Sequence, residues 1–543
     1  MNAPLPFRPD AAATAPLRCA VLCPAGTLPR WQTACIEALA EAGEAICVAV
    51  LLPPAPATPG PRPGVLDRLY AAAIRRGTRA LDHVDPAPGV PRFAPDSWAK
   101  AGSLDAVLAF DAAEVPGLPA ARFGTWRFRI GGRPPGAAGL PGQAEIAARH
   151  DAVRIELVAE SGDGVRLLHR TVLPMRRTHA RLLDALAEAA PALCLGACRR
   201  LARDALAIAS RPGDVAAPAR GALAAVAGQV AGLARRLGGL VRRDEWRIGV
   251  VQTTPEALLA GPLLPPPCWL AAPRRGTFHA DPFPLAAGGQ AALLFEMYDE
   301  AEGRGWIAAT PLDAPRAITQ AATAIDLDCH MSYPSVFRFA GATYCAPEAA
   351  AGGRLRLFRM GATPWDWTEV AHVPPEGRLA DPTLFEHAGR WWMFATPDGP
   401  AVGTDLHLWH AATPFGPWTA HPLNPVVSDV GAARPAGAVF VARGDLIRPG
   451  QDCAGSYGRA VVLHRILRLD ATGYEEEAVV RIEPGRAWPA RDGLHTLNWL
   501  DGRLVLDAKR RLWDPFGPWR RLGRQPGARL ARRPRQEAAA PVR

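Results

Sequence analysis

The residues best suited to chemistry lie in the C-terminal half, where five short motifs each precede a glycine turn and an apolar segment. The second residues of these motifs are Asp281, Tyr333, Asp381, Arg434 and His495. Two carboxylates, a phenol, a guanidinium and an imidazole are costly to bury together without a ligand, so equivalent positions would define a binding pocket. An Asp-Pro pair can also serve only to shape a turn. That alternative explains Asp281 and Asp381 but leaves Arg434 and His495 unexplained.

The spacing of the five motifs predicts the elements that hold these side chains. Their second residues follow one another at steps of 52, 48, 53 and 61 residues, and each step has the length of one four-stranded propeller blade. The innermost strand of each blade lines the channel of a propeller. We therefore predict an all-β five-bladed propeller over residues 246–515, with the five side chains in a ring around its channel.

Further polar residues follow the predicted inner strands. Glu348 lies in an Ala-Pro-Glu segment of the second blade, and Asp452 lies in a Gln-Asp-Cys segment of the fourth. Glycoside chemistry uses paired carboxylates, one as the acid and one as the base or nucleophile. The candidate catalytic residues are thus Asp281, Glu348 and Asp381, and the candidate substrate-binding residues are Tyr333, Arg434, Asp452 and His495.

Motifs over residues 270–510 resemble the N-terminal propeller domain of glucosamine inositolphosphorylceramide transferases. They include the segments at 330–337, 380–385, 433–437 and 495–498. The resemblance adds Asn498 as a substrate-binding candidate and implies a fold similar to glycoside hydrolase family 43. By that likeness Asp281 would match a general base and Glu348 an acid. Tyr333 stands where the hydrolases have a second acid, which argues against hydrolysis.

These observations leave three functions open. The first is a carbohydrate-active protein of glycan or glycolipid assembly, with the sugar in the channel and glycosyl transfer or hydrolysis as its chemistry. The second is a non-catalytic glycan-binding module fused to an inactive scaffold. The third is an amino-sugar formyltransferase whose propeller presents the acceptor.

Residues 17–200 alternate strand and helix patterns, which predicts βαβ units and a parallel, Rossmann-type sheet. Leu17–Leu22, Ala45–Leu52 and Leu104–Phe110 have the apolar character of strands, and Leu28–Ala42 that of an amphipathic helix. We expect an α/β domain here.

The same region resembles a formyltransferase domain, in the order of its strands and in its Gly-Thr-Trp segment at 124–126. The resemblance implies a catalytic Asn and His where this chain has Arg127 and Arg129, and a later Asp that Asp163 could supply. Because arginine cannot act as a general base at neutral pH, we predict a catalytically inactive domain. It would bind an anionic or nucleotide ligand through the two arginines or be a structural remnant.

A helical linker is predicted over residues 201–245. Its apolar residues step by three and four and form one continuous stripe: Leu223, Val226, Val230, Leu233, Leu237 and Leu240. Such a helix can pack on a domain or on a second copy. The alternative is an interfacial membrane helix, because arginines surround its end.

Composition bounds the remaining possibilities. The chain has 543 residues, 49% hydrophobic and 21% charged, and a net charge of +10, so we expect a globular multidomain protein. Basic residues are not interleaved with aromatics on one face, so no nucleic-acid partner is predicted. Ten scattered cysteines, no signal-peptide pattern and no long apolar segment favour a cytoplasmic protein, peripheral to membranes at most. Neither a metal nor a cofactor is predicted, and the oligomeric state stays open.

Overall fold

The computed structural model describes residues 15–24, 26–54, 64–110, 115–135, 139–202, 221–261, 263–271, 274–312, 321–350, 353–399 and 401–517. From the sequence we expect a disordered N-terminus over residues 1–16 and a basic disordered tail over residues 516–543, and both segments lie almost wholly outside these ranges.

The N-terminal region is built on a seven-stranded mixed sheet in the order β5-β3-β1-β6-β7-β8-β9. The first five of these strands run parallel, and β8 and β9 join as an antiparallel pair. Their bounds are β1 Leu17–Leu22, β3 Ala45–Leu51, β5 Arg92–Phe93, β6 Ala106–Leu108, β7 Thr125–Ile130, β8 Ala152–Ser161 and β9 Gly164–Pro174. The parallel sheet is confirmed. Its finer assignment to a formyltransferase domain stays a prediction.

Helices cover this sheet and bury two apolar clusters against it. They are α1 Arg30–Glu41, α2 Val65–Arg75, a 3-10 helix Pro95–Ala101, α3 Gln143–Ala147 and α4 His179–Leu201. The first helix begins at Arg30 rather than Leu28, because β2 (Leu28–Pro29) pairs with β4 (His83–Val84). Cys194 and Cys198 of α4 are buried free thiols.

The linker contains α5 (Ala222–Leu240), and residues 203–220 lie outside the described part. The helical linker predicted for residues 201–245 extends too far at its C-terminal end. Strand β10 already begins at Arg242, where it pairs with Trp513.

Five sheets of four or five strands form the propeller. Blade one is β12 Thr277–Ala287, β13 Gln290–Asp299, β14 Arg304–Pro311 and β15 Ala322–Ile325. Blade two is β16 Met331–Phe339, β17 Ala342–Ala349, β18 Arg354–Met360 and β19 Trp367–Glu376. Blade three is β20 Leu379–His387, β21 Arg390–Pro397, β22 Asp405–Ala411, β23 Thr419–Ala420 and β24 Val427–Ser428. Blade four is β25 Phe440–Ala442, β26 Asp445–Asp452, β27 Ala460–Leu469 and β28 Tyr474–Ile482.

Blade five is assembled from both ends of the propeller chain. Its order is β11 (Cys268–Trp269), β10 (Arg242–Gln252), β30 (Arg503–Trp513) and β29 (Gly493–Leu500). Strand β10 pairs with β30 along its whole length, which closes the ring. A short helix, α6 (Pro255–Ala260), follows β10. The predicted five-bladed propeller is confirmed.

The two regions touch along one edge. Val172 of β9 forms a parallel bridge with Asp429, and the hydroxyls of Thr171 and Ser428 lie 2.6 Å apart. Arg199 of α4 donates to the Asn424 carbonyl at 3.2 Å. Among the described helices, none is long and apolar enough to cross a membrane.

Candidate functional site

Four of the five sequence motifs fold as a bulge in an innermost strand, and the fifth, at Arg434, lies before the innermost strand of blade four. In blades one, two, three and five the register slips at the motif, so that the inner strand holds one residue more than its neighbour. Three of the motif residues take left-handed backbone angles, with φ of 52° at Asp281, 44° at Tyr333 and 50° at Asp381. Bulges re-aim a side chain at the edge of a ladder. The repeat therefore encodes a repeated bulge.

An open pocket of about 400 Å³ lies where these bulges meet. Asp281, Arg434 and His495 line it, together with Glu348. Tyr333 and Asp381 lie behind that lining and are fully buried. The structure thus brings the predicted ring together, with three of its side chains at the pocket and two beneath it.

Carboxylates at the channel connect neighbouring blades. Asp507 Oδ2 accepts the backbone N–H of Asp281 at 2.8 Å, and Asp281 Oδ2 accepts that of Tyr333 at 3.2 Å. Glu348 Oε2 accepts the N–H of Asp381 at 3.2 Å. Each acid holds the bulge of another blade, so these residues have a structural role whatever else they do.

Arg434 is the cation at the centre of this network. Its Nε contacts Asp381 Oδ2 and its Nη2 lies 3.4 Å from Oδ1, while Glu348 Oε2 lies 3.6 Å from Nη2. The guanidinium also lies over the ring of Tyr457, 5.1 Å from the centroid. Burial raises the pKa of Asp381, the nearby Glu348 carboxylate adds to this, and Arg434 opposes it.

His495 is held in a fixed orientation. Its Nδ1 lies 2.8 Å from Asp507 Oδ1, and its ring stacks on the indole of Trp246 with centroids 3.8 Å apart. The other nitrogen, Nε2, lies 3.7 Å from Asp281 Oδ1. Burial lowers the pKa of His495, but the carboxylates of Asp507 and Asp281 outweigh it and raise the pKa above its usual value.

The described pocket lining carries more acids than permanent cations. It holds the five carboxyl groups of Asp281, Glu296, Glu300, Glu348 and Asp514 against the two arginines Arg243 and Arg434. Arg243 is paired with Glu300 at 2.5 Å. Burial, reinforced by the surrounding carboxylates, raises the pKa of Glu296 well above its usual value. The raised pKa favours the protonated form of Glu296, which can donate a proton into the pocket.

Asp281 combines burial with strong hydrogen bonds. Thr496 Oγ1 donates to its Oδ1 at 2.7 Å, in addition to the Tyr333 amide on Oδ2. Burial raises the pKa of Asp281, and the charge of His495 counteracts this. An acid with a raised pKa beside an imidazole whose pKa is also raised is an arrangement suited to proton transfer.

Three of the predicted binding residues hold the scaffold instead of lining the pocket. The Tyr333 hydroxyl lies 2.9 Å from Thr383 Oγ1 and accepts the Gly437 amide at 2.8 Å. Asn498 donates to the Pro282 carbonyl at 2.8 Å and accepts the Ala438 amide at 2.7 Å. Asp452 pairs with Arg481 and accepts the Ala454 amide at 2.8 Å.

Asp281, His495 and Asp507 offer ligand atoms that all lie within 4.8 Å of one another. A cation there would compete with existing donors, because Asp507 Oδ1 accepts the amides of His495 and Thr496 at 3.2 and 3.0 Å. Its other oxygen accepts the Asp281 amide. The trio fits a hydrogen-bonded network better than a metal centre.

The predicted N-terminal site residues have partners of their own. Arg127 Nε lies 2.7 Å from Glu160 Oε2, and Arg129 Nη2 lies 3.4 Å from Glu160 Oε1. Asp163 is exposed in the turn between β8 and β9. The Glu160 carboxylate thus already neutralises part of the positive charge that Arg127 and Arg129 would offer to an anionic ligand.

Glu296, Asp507, Trp246 and Tyr457 were not identified from the sequence. A signal existed for Glu296, which pairs with Ala280 just as Glu348 pairs with Ser332 on the second strand of the next blade. Asp507 lies opposite the blade-five bulge, between the partners of Leu494 and Leu497. Counting along second strands would have found Glu296, whereas in blade five the matching residue is Ala508 and Asp507 lies one position before it.

Residues 256–493 match the family model described as glucosamine inositolphosphorylceramide transferase 1, N-terminal. This finding confirms the resemblance recognised in the motifs. The chain is 36% identical over 235 residues to the enzyme of that name from Oryza sativa subsp. japonica, and 32% identical over 209 residues to that from Arabidopsis thaliana. These alignments take in 40% and 37% of this chain but only 31% and 27% of the plant proteins.

Solved structures similar to the chain include glycoside hydrolases. An exo-beta-1,3-galactanase from Phanerochaete chrysosporium aligns at 14% identity and a TM-score of 0.30, over 37% of this chain and 50% of that one. A family 117 glycoside hydrolase from Zobellia galactanivorans aligns at 11% identity and a TM-score of 0.32, over 49% of this chain and 90% of the other.

Proposed function

We propose that this protein acts on carbohydrate in glycan or glycolipid assembly, with a sugar bound in the propeller pocket. The observation that carries the proposal is the set of carboxyl groups of Asp281, Glu296 and Glu348 around one open pocket, beside Arg434 and His495. Sugars need many hydrogen-bond donors and acceptors, and glycosyl chemistry needs a proton donor and a carboxylate. The match to proteins named glucosamine inositolphosphorylceramide transferase supports this class of substrate.

Within this proposal the acids take distinct roles. Glu296, whose pKa burial raises well above its usual value, is the proton donor to a departing group. Asp281, beside His495, is the base or stabilising carboxylate. Arg434 and His495 bind polar or anionic substituents of the substrate. Glycosyl transfer and hydrolysis both use this set of groups.

A non-catalytic glycan-binding module is the second candidate. It is favoured by the inter-blade hydrogen bonds, because Asp281 and Glu348 each already accept a backbone amide of another blade. In that case the acids stabilise the fold of the channel and bind sugar hydroxyls, and they catalyse no reaction.

Asp281→Asn separates the two candidates. Wild type and variant would be assayed against a panel of glycosides and sugar-nucleotide donors, with sugar binding measured calorimetrically in parallel. If Asp281 is catalytic, the variant should lose turnover by roughly a hundredfold or more, because proton transfer by a positioned group contributes that much.

Asp405→Asn serves as the control. It makes the same chemical change in the outer part of blade three, where Asp405 accepts a hydrogen bond from Ser428 at 2.6 Å. Turnover equal to wild type in Asp281→Asn would remove that residue from catalysis. Sugar binding without turnover in wild type would favour the module, and no sugar binding at all would contradict both candidates.

For the N-terminal domain we propose an inactive formyltransferase-like scaffold. The arginines at the positions of the expected Asn and His support it, since neither can accept a proton at neutral pH. Incubation of wild type with formyl-folate tests it, and any consumption that requires Arg127 or Arg129 would contradict it.

A further inference from the structure

Helix α5 is packed the opposite way from an ordinary surface helix. Its small residues Ala222, Ala225 and Gly228 are buried, and a Cβ at Gly228 would come within 2.0 Å of the Ile146 carbonyl of α3. Its large residues face out, with exposed fractions between 45% and 69%: Leu223, Val226, Val230, Leu233, Leu237 and Leu240. The predicted apolar stripe is therefore real but does not pack on its own domain.

Neighbouring elements extend this surface. On α2, Val65, Leu66 and Leu69 are exposed by 54% to 63%, and Asp67 Oδ1 accepts the Ala222 amide at 2.8 Å, which ties the two helices together. At the other end of α5, Trp513 and Phe516 are exposed by 70% and 68%. We call these residues and the α5 stripe the apolar face. A group of exposed apolar side chains on elements tied together in this way indicates an interaction site.

Positive charge accompanies the apolar face. The sequence of α5 contains Arg235 and Arg236 and neither Asp nor Glu, and Arg242 is exposed just beyond its end. Burial lowers the pKa of Arg236, and the nearby charges of Arg177 and Arg235 lower it further. Arginines close together beside exposed aliphatic side chains are complementary to a lipid surface, which has an apolar interior and anionic head groups.

The apolar face also reaches the mouth of the pocket. Arg243 and Asp514 line the pocket. Asp514 directly follows Trp513 of the apolar face, and Arg243 directly follows Arg242, which pairs with Trp513. The Asp514 amide donates to the Val241 carbonyl at 2.7 Å. If the apolar face contacts a surface, a molecule anchored in that surface would have its head group beside the pocket entrance.

We propose that the apolar face docks the protein in the interfacial layer of an anionic lipid membrane and presents the propeller pocket to a lipid-borne sugar. This inference rests in part on the proposed function, because it names the physical form of the substrate. Helix α5 lies in the plane of the interface, and its aliphatic side chains enter the acyl boundary while the arginines contact lipid phosphates. A two-fold dimer through the same face would bring the arginines of both copies together.

Vesicle co-sedimentation of the full chain tests docking. The probes are vesicles of equal parts phosphatidylcholine and phosphatidylglycerol, and vesicles of phosphatidylcholine alone. Wild type should bind the mixed vesicles much more tightly, and added salt should weaken that binding because it screens the arginines. Val230→Glu/Leu233→Glu/Leu237→Glu should reduce binding by roughly tenfold or more.

The matched control is Val165→Glu/Val441→Glu/Leu467→Glu. These residues are exposed by 55%, 63% and 52%, close to the values of 61%, 57% and 55% at Val230, Leu233 and Leu237, but lie on strands away from α5. Circular dichroism checks that both triple variants fold. Equal loss in the control, no binding by wild type, or a dimer whose dissociation follows the α5 changes would each overturn the proposal.

Asp281→Asn distinguishes the failure of docking from that of the proposed function. It should bind vesicles like wild type, because the residue is buried at the channel. If soluble sugars bind the pocket while vesicles do not bind, docking fails and the proposed function stands.

Discussion

Two buried arginine–carboxylate pairs in the propeller differ in their surroundings. Inside blade four, Arg448 Nη2 lies 2.6 Å from Glu476 Oε1, with Tyr474 and His464 beside the same carboxylate. In the channel, Arg434 contacts Asp381 in a similar way. Burial alone would raise the pKa of either acid. Arg448 and His464 overcome it and lower the pKa of Glu476 to about 2, whereas the pKa of Asp381 remains raised.

The difference comes from the neighbours of each pair. Glu476 is surrounded by donors and cations, so its charge is balanced. Asp381 shares Arg434 with Glu348 and lies near Asp281, so the channel holds more acid than its cations neutralise. A balanced pair stabilises a fold, while an excess of buried acid marks a place where a ligand or a proton completes the charge. This contrast supports the channel as the functional site.

The largest effect should come from breaking the balanced pair. Glu476→Gln leaves the Arg448 guanidinium buried without its counter-charge, which we expect to lower the free energy of unfolding by about 3–5 kcal/mol. Urea unfolding at neutral pH measures this. Because the folded pKa of Glu476 is depressed, the gap to wild type should close as pH falls from about 4.5 towards 2.

Glu477→Gln, one residue along the same strand, is its control. Glu477 pairs with Arg465 at the surface, where the two side chains are 33% and 40% exposed, so its loss should cost less than about 1 kcal/mol. Equal effects at both positions would contradict the distinction between buried and exposed pairs.

Removal of an acid from the channel, where acids outnumber cations, should raise the free energy of unfolding instead of lowering it. Glu296→Gln removes a carboxyl whose pKa burial raises well above its usual value, so it should raise the free energy of unfolding at pH 8 by about 1 kcal/mol or more. The folded pKa is raised, so this advantage should shrink as pH falls towards the ordinary value of 4.5. Thermal unfolding across this range measures it. Destabilisation of the variant at pH 8 would show that Glu296 is charged and paired.

His495 should give the smallest effect. Its pKa is raised in the fold, so its contribution to stability is fully present below pH 6.5 and is lost as pH rises through the folded pKa. His495→Gln should therefore be less stable than wild type by about 1 kcal/mol at pH 6, with a smaller gap at pH 9. NMR titration of the imidazole gives the folded pKa directly. A pKa below 6.5 would mean that the channel acids are protonated and the excess charge is absent.

The site residues that belong to the repeated motifs could be predicted from the sequence, and those outside the motifs were missed. Asp281, Asp381 and His495 recur at blade spacing, so one pattern located them and the five inner strands. Glu296 and Asp507 lie on second strands, outside the repeated motifs, and the register of the bulges places them opposite those motifs. Trp246 reaches His495 through closure of the ring, a contact between residues 249 positions apart in the chain.

The linker shows a different limit. The spacing of Leu223, Val226 and Val230 correctly predicted one apolar side of α5, but periodicity cannot tell which side packs. Here the close approach of α5 to α3 requires a glycine at the contact, so the small residues pack and the large ones face out.

Blade five is closed by strands from opposite ends of the propeller sequence, because β10 comes before blade one and β30 comes after blade four. A fragment starting at residue 256, where the family match begins, would lack β10 and with it Trp246. Strands β30 and β29 would then form an unprotected edge ready to pair with another chain, and His495 would lose its stacking partner. Excision of this propeller therefore requires a cut before Arg242, which keeps β10 paired with β30.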